Sequence, residues 1–242
     1  MMGRYIIIHK TNPHWEAGAV PDAALIARVG SWIGQVANAG RFLAGEGLAP
    51  SSQGVRLRFA GGQRTVLPGP FERGAELPAA FTILRVASLD AAIVWAAQYA
   101  EISGDAEIDI RPVHEPWDIG IGSPPESDPS RRYMVLSKAT PATESGEAPA
   151  QETRARLSRL IADARSSGVH VVTERMQPSR RGRRYANTKD GKTFYDGPFA
   201  ESKELIGGYV IVTADSLEDA CRWVPSYMDV VDTDEVDVRA LE

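Results

Sequence analysis

The sequence predicts an α+β fold built from two tandem copies of one β-α-β-β-α-β unit. Two observations carry this reading. Short strand-like runs alternate with segments whose apolar residues recur at helical spacing, and the whole pattern returns after 128 residues without a gap. Arg4-Tyr5 falls on Arg132-Tyr133, Lys10 on Lys138, Gly40 on Gly168 and Glu46 on Glu174. Pro50-Ser51 falls on Pro178-Ser179, Arg56 on Arg184, Gly69-Pro70-Phe71 on Gly197-Pro198-Phe199, and Trp95 on Trp223. Glu107 and Arg111 meet Glu235 and Arg239. The repeats span 1–113 and 132–242, each the size of one small domain, with residues 114–131 between them.

Each repeat opens on a strand, Tyr5–His9 or Tyr133–Ser137. A helix follows, with Leu25, Val29, Trp32, Ile33 and Val36 on one face, matched by Leu157, Leu160, Ile161 and Ala164. Gly40 and Gly168 stand where a helix C-terminal cap is expected. A second strand runs through Arg41–Leu48 or Val169–Met176, and an exposed segment with a further strand reaches the Gly-Pro-Phe turn. The strands Phe81–Val86 and Tyr209–Thr213 come next. Ser88 and Ser216 are good N-caps for a second helix, whose apolar face is Leu89, Ala92, Ile93 and Ala96, or Leu217, Ala220, Cys221 and Val224. Ile108–Val113 and Val236–Leu241 close the repeats. This order is the ferredoxin-like arrangement. Such a unit leaves one sheet face bare, and a bare apolar face must be covered. The second repeat is the natural cover, making the chain an internal pseudo-dimer. The four prolines of 114–131 predict an extended, semi-rigid connector, whose His114, Trp117 and Asp118 either cap a barrel mouth or only dock the segment.

The most distinctive stretch is Asp196-Gly197-Pro198-Phe199-Ala200-Glu201-Ser202-Lys203-Glu204-Leu205-Ile206-Gly207-Gly208-Tyr209. Its first four residues read as a reversal closed by an aromatic anchor: Asp caps, Gly gives backbone freedom, Pro fixes φ. With the strand after it, the Ser-Leu-Glu-Asp-Ala helix start and Trp223, this stretch resembles the DGPF branch of the YCII-related domain family over nearly all of 132–241. The resemblance implies ferredoxin-like units packed sheet to sheet, here as an intramolecular dimeric α/β barrel. It also implies a link to alternative sigma-factor signalling, since genes for such proteins often lie beside those for these factors. Many relatives carry a histidine near the start of the first helix, paired with an Asp. Pro21-Asp22-Ala23-Ala24 and Pro149-Ala150-Gln151-Glu152 hold none, so the activity inferred for those relatives does not transfer.

Composition excludes several classes. The chain has 43% hydrophobic and 24% charged residues, and no apolar run approaches the roughly 20 residues of a membrane span. A single cysteine, Cys221, rules out a disulfide framework and a cysteine metal cluster, and it sits on an apolar helix face as core filler. No zinc-type spacing, dinucleotide fingerprint or phosphate loop is present, so neither metal nor cofactor is expected. A net charge of −5 argues against nucleic acid as partner. Arg180-Arg181-Gly182-Arg183-Arg184 reads either as a solvated hairpin tip or as an anion-binding patch. The start of the chain reads as a strand and not as a signal peptide, which leaves the cytoplasm as the expected location. In solution the sequence permits a monomer or a homodimer.

The repeat separates positions the fold demands from those it does not. Asp196 corresponds to Pro68, Gly207-Gly208 to Ala79-Ala80, and Tyr209 to Phe81. Either the first copy has lost a functional site kept by the second, or a neighbouring segment compensates. Asp196 and Glu174 are the candidate acid/base groups. Arg184 and Lys203 are candidate anion contacts, and His170 and Tyr209 candidate ligand contacts. His170 replaces Phe42 and shares a strand face with Glu174. Structural alternatives stand beside each: Asp is a common turn residue, and Glu46 and Glu174 could pair with Arg56 and Arg184. Asp229, Asp232, Asp234, Glu235 and Asp237 read as a solvated face before the last strand. The expected function is binding of a small polar or aromatic molecule, or cofactor-free acid/base catalysis on one, in the inter-sheet cleft of the second repeat. The alternative is a non-catalytic regulatory or interaction module.

Overall fold

A computed structural model describes residues 2–71, 77–199 and 205–242. The first repeat gives strands β1 (Gly3–Lys10), β2 (Phe42–Gly47), β3 (Val55–Ala60), β4 (Gln63–Pro68), β5 (Pro78–Val86) and β6 (Glu107–Pro112). The second gives β7 (Arg131–Lys138), β8 (His170–Arg175), β9 (Arg183–Thr188), β10 (Gly191–Asp196), β11 (Ile206–Ala214) and β12 (Glu235–Ala240). Helices α1 (Pro13–Glu16), α2 (Ala23–Asn38) and α3 (Leu89–Ser103) belong to the first repeat. Helices α4 (Pro141–Ser145), α5 (Gln151–Ser166), α6 (Leu217–Cys221) and α7 (Val224–Val231) belong to the second.

The strands form two six-stranded sheets, ordered β10-β9-β12-β1-β11-β2 and β4-β3-β6-β7-β5-β8, and every described ladder is antiparallel. Neither sheet is the property of one repeat. β1 and β2 lie among strands of the second repeat, and β7 and β8 among strands of the first. The compact units follow the sheets. A terminal unit is built from Met1–Gly47 and Met176–Glu242, and a central unit from Leu48–Glu72 and Pro78–Arg175. Within each, four neighbours show the ferredoxin-like order, β12-β1-β11-β2 and β6-β7-β5-β8. The strands of each such set alternate between the two repeats. The Pro-rich segment therefore joins β6 to β7, neighbours in one sheet. It is docked there: Glu115, 2% exposed, accepts from the backbone N–H and the Nε of Arg132, and Asp118 accepts from Glu115 N and pairs with Arg131.

Local chemistry explains the elements. Asp22 caps α2, its Oδ1 2.7 Å from Leu25 N, and the helix buries Trp32 and Val36. Gly40 and Gly168 take the left-handed conformation (φ +69° and +73°) just beyond α2 and α5. Arg41 N and Val169 N then close back on Val36 O and Ala164 O, the bond of a Schellman ending. Ser88 and Ser216 cap α3 and α6 as expected. The single helix expected after Ser216 is broken, however. Pro225, where α3 has Ala97, has no N–H to donate and starts α7 as a separate helix. The exposed segment before each Gly-Pro-Phe turn is a hairpin, β3–β4 or β9–β10.

In the terminal unit the helices cover Ile7, Val210, Val212, Val236 and Val238; in the central unit they cover Leu57, Leu84, Ile108, Ile110 and Val135. The alternate residues, Ile6, Ile8, Tyr209 and Ile211 in one sheet and Phe81, Ile83, Met134 and Leu136 in the other, are also buried. Among the described residues no helix is long and apolar enough to cross a membrane.

Candidate functional site

The Gly-Pro-Phe turn is built against the Pro-Ser pair that recurs with it. Both turns contain a cis peptide, Gly69-Pro70 and Gly197-Pro198. A Cβ on Gly197 would stand 1.9 Å from Ser179 O, and one on Gly69 1.8 Å from Ser51 O, so only glycine lets the chains approach this closely. The serine hydroxyls then accept from the next backbone N–H groups, Ser179 Oγ from Phe199 N at 3.0 Å and Ser51 Oγ from Phe71 N at 3.1 Å. This clasp holds the Phe ring over a buried guanidinium. Arg184 Cζ lies 4.7 Å from the Phe199 centroid, and Arg56 Cζ 4.7 Å from that of Phe71.

Beneath each ring lies a charge network joining the two repeats. In the terminal unit Arg184 binds Asp237 through Nε (2.5 Å) and Nη2 (2.8 Å), and Lys10 Nζ reaches Asp237 Oδ2 at 2.9 Å. In the central unit Arg56 binds Asp109 at 2.6 and 2.9 Å, and Lys138 Nζ binds it at 2.7 Å. Glu235 and Glu107 stand at the edges, 3.4 and 3.3 Å from the Arg Nε atoms. Burial alone would push the carboxyls of Asp237 and Asp109 up. The adjoining Lys and Arg groups overcome it and hold both below the usual carboxylate range. Asp237, read above as part of a solvated face, is 1% exposed, because β12 turns it inward between Lys10 and Arg184. Arg239 and Arg111 extend the pattern, donating to Gln177 O and Ala49 O just before the Pro-Ser pairs.

Beside this network the two units differ. In the terminal unit His9 Nδ1 lies 2.8 Å from the Tyr227 hydroxyl. Burial pushes that hydroxyl's pKa up, so Tyr227 stays protonated across the ordinary pH range. The ring of His9 lies against Gly207 and Gly208. Cβ atoms added there would meet His9 at 2.8 and 2.6 Å, and the one on Gly208 would also meet Glu46 O. In the central unit the same positions hold Ser137, Tyr99 and Ala79-Ala80. Ser137 Oγ donates to Asp105, whose pKa burial raises and whose other donor is Ser103.

The sequence-derived candidates fall in different places. Asp196 ends β10 in the terminal unit, 62% exposed at its side chain, and accepts from Arg183 Nε at 2.7 Å. That hydrogen bond holds its carboxyl below the ordinary value. Glu174 lies on β8 of the central unit, opposite Phe81. Arg184 is buried and bound to Asp237; of its run, Arg180 and Arg181 are exposed. Tyr209 is buried on β11 opposite Glu46. His170 is half-buried with Nε2 3.0 Å from Thr173 Oγ1, and burial lowers its pKa. Lys203 lies outside the described residues. His9 and Tyr227 are not among the sequence-derived candidates; the one signal for them is Gly207-Gly208 against Ala79-Ala80, which makes room for a larger side chain opposite. Among the described residues no cluster of His, Cys, Asp or Glu could hold a metal ion.

The model of the YCII-related domain matches residues 3–115 and again 131–227. The chain belongs to the YCII-related domain family. Both matches take in the Lys, Pro-Ser, Arg and Gly-Pro-Phe positions of a repeat, and the second ends before Asp237; the structure shows the clasp and the charge network twice in this YCII chain. No curated protein and no solved structure matches it.

Proposed function

We propose that the chain is a cofactor-free acid/base protein that takes up a small polar or aromatic molecule at the terminal unit, with His9 as the group that moves the proton. The observation that carries this is the asymmetry at one position. The fold accepts Ser137 there in the central unit, yet the terminal unit holds an imidazole over a glycine pair and sets it against a neutral tyrosine. A tyrosine hydroxyl at Nδ1 can donate to the neutral ring or accept from the protonated one, so it supports the charge change in either direction. Asp196 and Tyr209 lie in the same unit as His9, whereas Glu174 and His170 stand on β8 of the central unit and are left out of this reading. The DGPF-type barrel, with its site in a cleft between sheets, is part of the same proposal, supported by the burial of Ile6, Ile8, Phe81 and Ile83.

A second reading, a non-catalytic interaction module of the kind linked to alternative sigma factors, is favoured by one feature. The edge strand β10 presents Phe194 and Tyr195, 56% and 49% exposed. A thermal-shift screen against small organic acids, phenols and amines, run on wild type and His9→Ser, separates the two. A compound that raises the melting temperature of wild type only supports the His9 site. Equal shifts in both proteins, or no shift from any compound, would move the weight to partner binding through β10.

A further inference from the structure

Each repeat sends out an arm, its first strand, helix and second strand, onto strands of the other repeat. Residues 3–47 pack with 176–199 and 205–242, and residues 131–175 with 48–71 and 78–112. Because the repeats are homologous, each repeat also holds a surface equivalent to the one its own arm occupies in the other. We propose that the chain carries a recognition code that fits the arm 3–47 to the surface of 176–242 and refuses it the homologous surface of the first repeat. The code is a set of three contacts matched only in the observed combination, and it rests on strand pairing, independent of any function assigned to His9.

The first is steric. His9 lies where Cβ atoms on Gly207 and Gly208 would stand, whereas Ser137 faces Ala79-Ala80. Exchanging the arms presses an imidazole onto two alanines and leaves a serine above two glycines. The second combines size and hydrogen bonding. Gly45 pairs with Val210, and a Cβ there would meet Val210 Cγ2 at 3.3 Å. The equivalent pair, Thr173 and Thr82, joins its hydroxyls at 3.0 Å. Exchange crowds Thr173 onto Val210 and strips the buried Thr82 of that partner. The third is charge. Arg41 pairs with Asp215 at 3.1 Å, where the other unit has Val169 and Ala87. The backbone register is the same in both: Thr213 N donates to Arg41 O and Arg85 N to Val169 O, each at 2.8 Å. Exchange leaves Asp215 facing a valine and Arg41 facing an alanine. Size, hydrogen bonding and charge thus reject the same wrong pairing, which is specificity by mismatch as well as by match.

Two full-length variants test the code. The first exchanges only the arm residues: His9→Ser, Arg41→Val and Gly45→Thr with Ser137→His, Val169→Arg and Thr173→Gly. The second adds the reciprocal changes on the receiving strands: Ala79→Gly, Ala80→Gly, Thr82→Val and Ala87→Asp with Gly207→Ala, Val210→Thr and Asp215→Ala; Gly208 is kept, because a Cβ there would also meet Glu46 O at 2.4 Å. The first should melt roughly 10 °C or more below wild type, or fail to fold, from the combined mismatches. The second, with more substitutions, should regain at least half of that loss. Wild-type melting of the first variant would overturn the proposal. So would a second variant no more stable than the first, since the loss would then belong to single positions and not to pairs.

Discussion

The imidazole of His9 fills the space that a Cβ on Gly207 would need, with Cδ2 2.8 Å from that position. Gly207 is also the residue skipped where His9 pairs with Gly208 and Lys10 with Ile206, so it sits in a bulge beside the ring. Gly207→Ala should therefore destabilise the protein by about 1–3 kcal/mol through overpacking. His9→Ser in the same background should return more than half of that, since the nearest remaining atom is Thr11 N at 3.1 Å. Urea unfolding of the two single variants and the double variant gives the coupling directly. Simple additivity would show that the glycine answers to its backbone and not to His9.

Gly197 and Gly69 make a different demand, since each meets a backbone carbonyl that no rotamer change can remove. Gly197→Ala should open the clasp at Ser179 and cost about 3 kcal/mol or more, at the upper end for a single substitution. Ser179→Ala leaves the turn in place but removes the acceptor of Phe199 N, for a loss of about 1 kcal/mol. Chemical denaturation of both variants checks the order. A milder effect from Gly197→Ala than from Ser179→Ala would show that the turn is held by its hydrogen bond and not by the close approach.

The repeat made the elements and the signature turn legible, because periodicity, caps and glycine positions are local. Gly40, Gly168, Ser88 and Ser216 all act where their chemistry placed them. Strand partnership was not legible. β1 pairs with β11 and β12, but β5 and β6 are their equivalents in the first repeat, and no local pattern says which pair it chooses. Asp237 was misread for a related reason: its acidic neighbours suggested a wet face, while the residues that turn it inward, Lys10 and Arg184, are distant in sequence. His9 stands at the end of a strand with no motif around it, and only the structure shows that the glycine pair opposite makes its room.

The charge networks predict an acid limit to stability. Asp237 has a folded pKa below its unfolded value near 3.9, so its contribution is complete above that value and is lost as pH falls below it, toward the folded pKa. Asp237→Asn should cost about 3–5 kcal/mol at neutral pH, because it leaves Lys10 and Arg184 buried without their counter-charge. The gap between wild type and variant should narrow below about pH 4. Urea midpoints of both proteins from pH 7 to pH 3 test this. A gap constant over that range would mean that Asp237 gains nothing from being ionised in the fold.

Asp196 tests the site from the other side. Its exposed carboxylate is held by Arg183, and the equivalent strand pair in the central unit is Pro68 with Val55, so the ladder forms with or without the charges. Exposed pairs of this kind contribute about 0–1 kcal/mol, and Asp196→Asn should shift the melting temperature by no more than a few degrees. The Arg183 hydrogen bond lowers the pKa of Asp196, which leaves it ionised at neutral pH and a poor proton acceptor there. A ligand found through its dependence on His9 should then bind Asp196→Asn almost as well as wild type, measured by the same thermal shift. Loss of that shift in a variant of unchanged stability would place Asp196 in contact with the ligand and make it, and not His9 alone, the centre of the site.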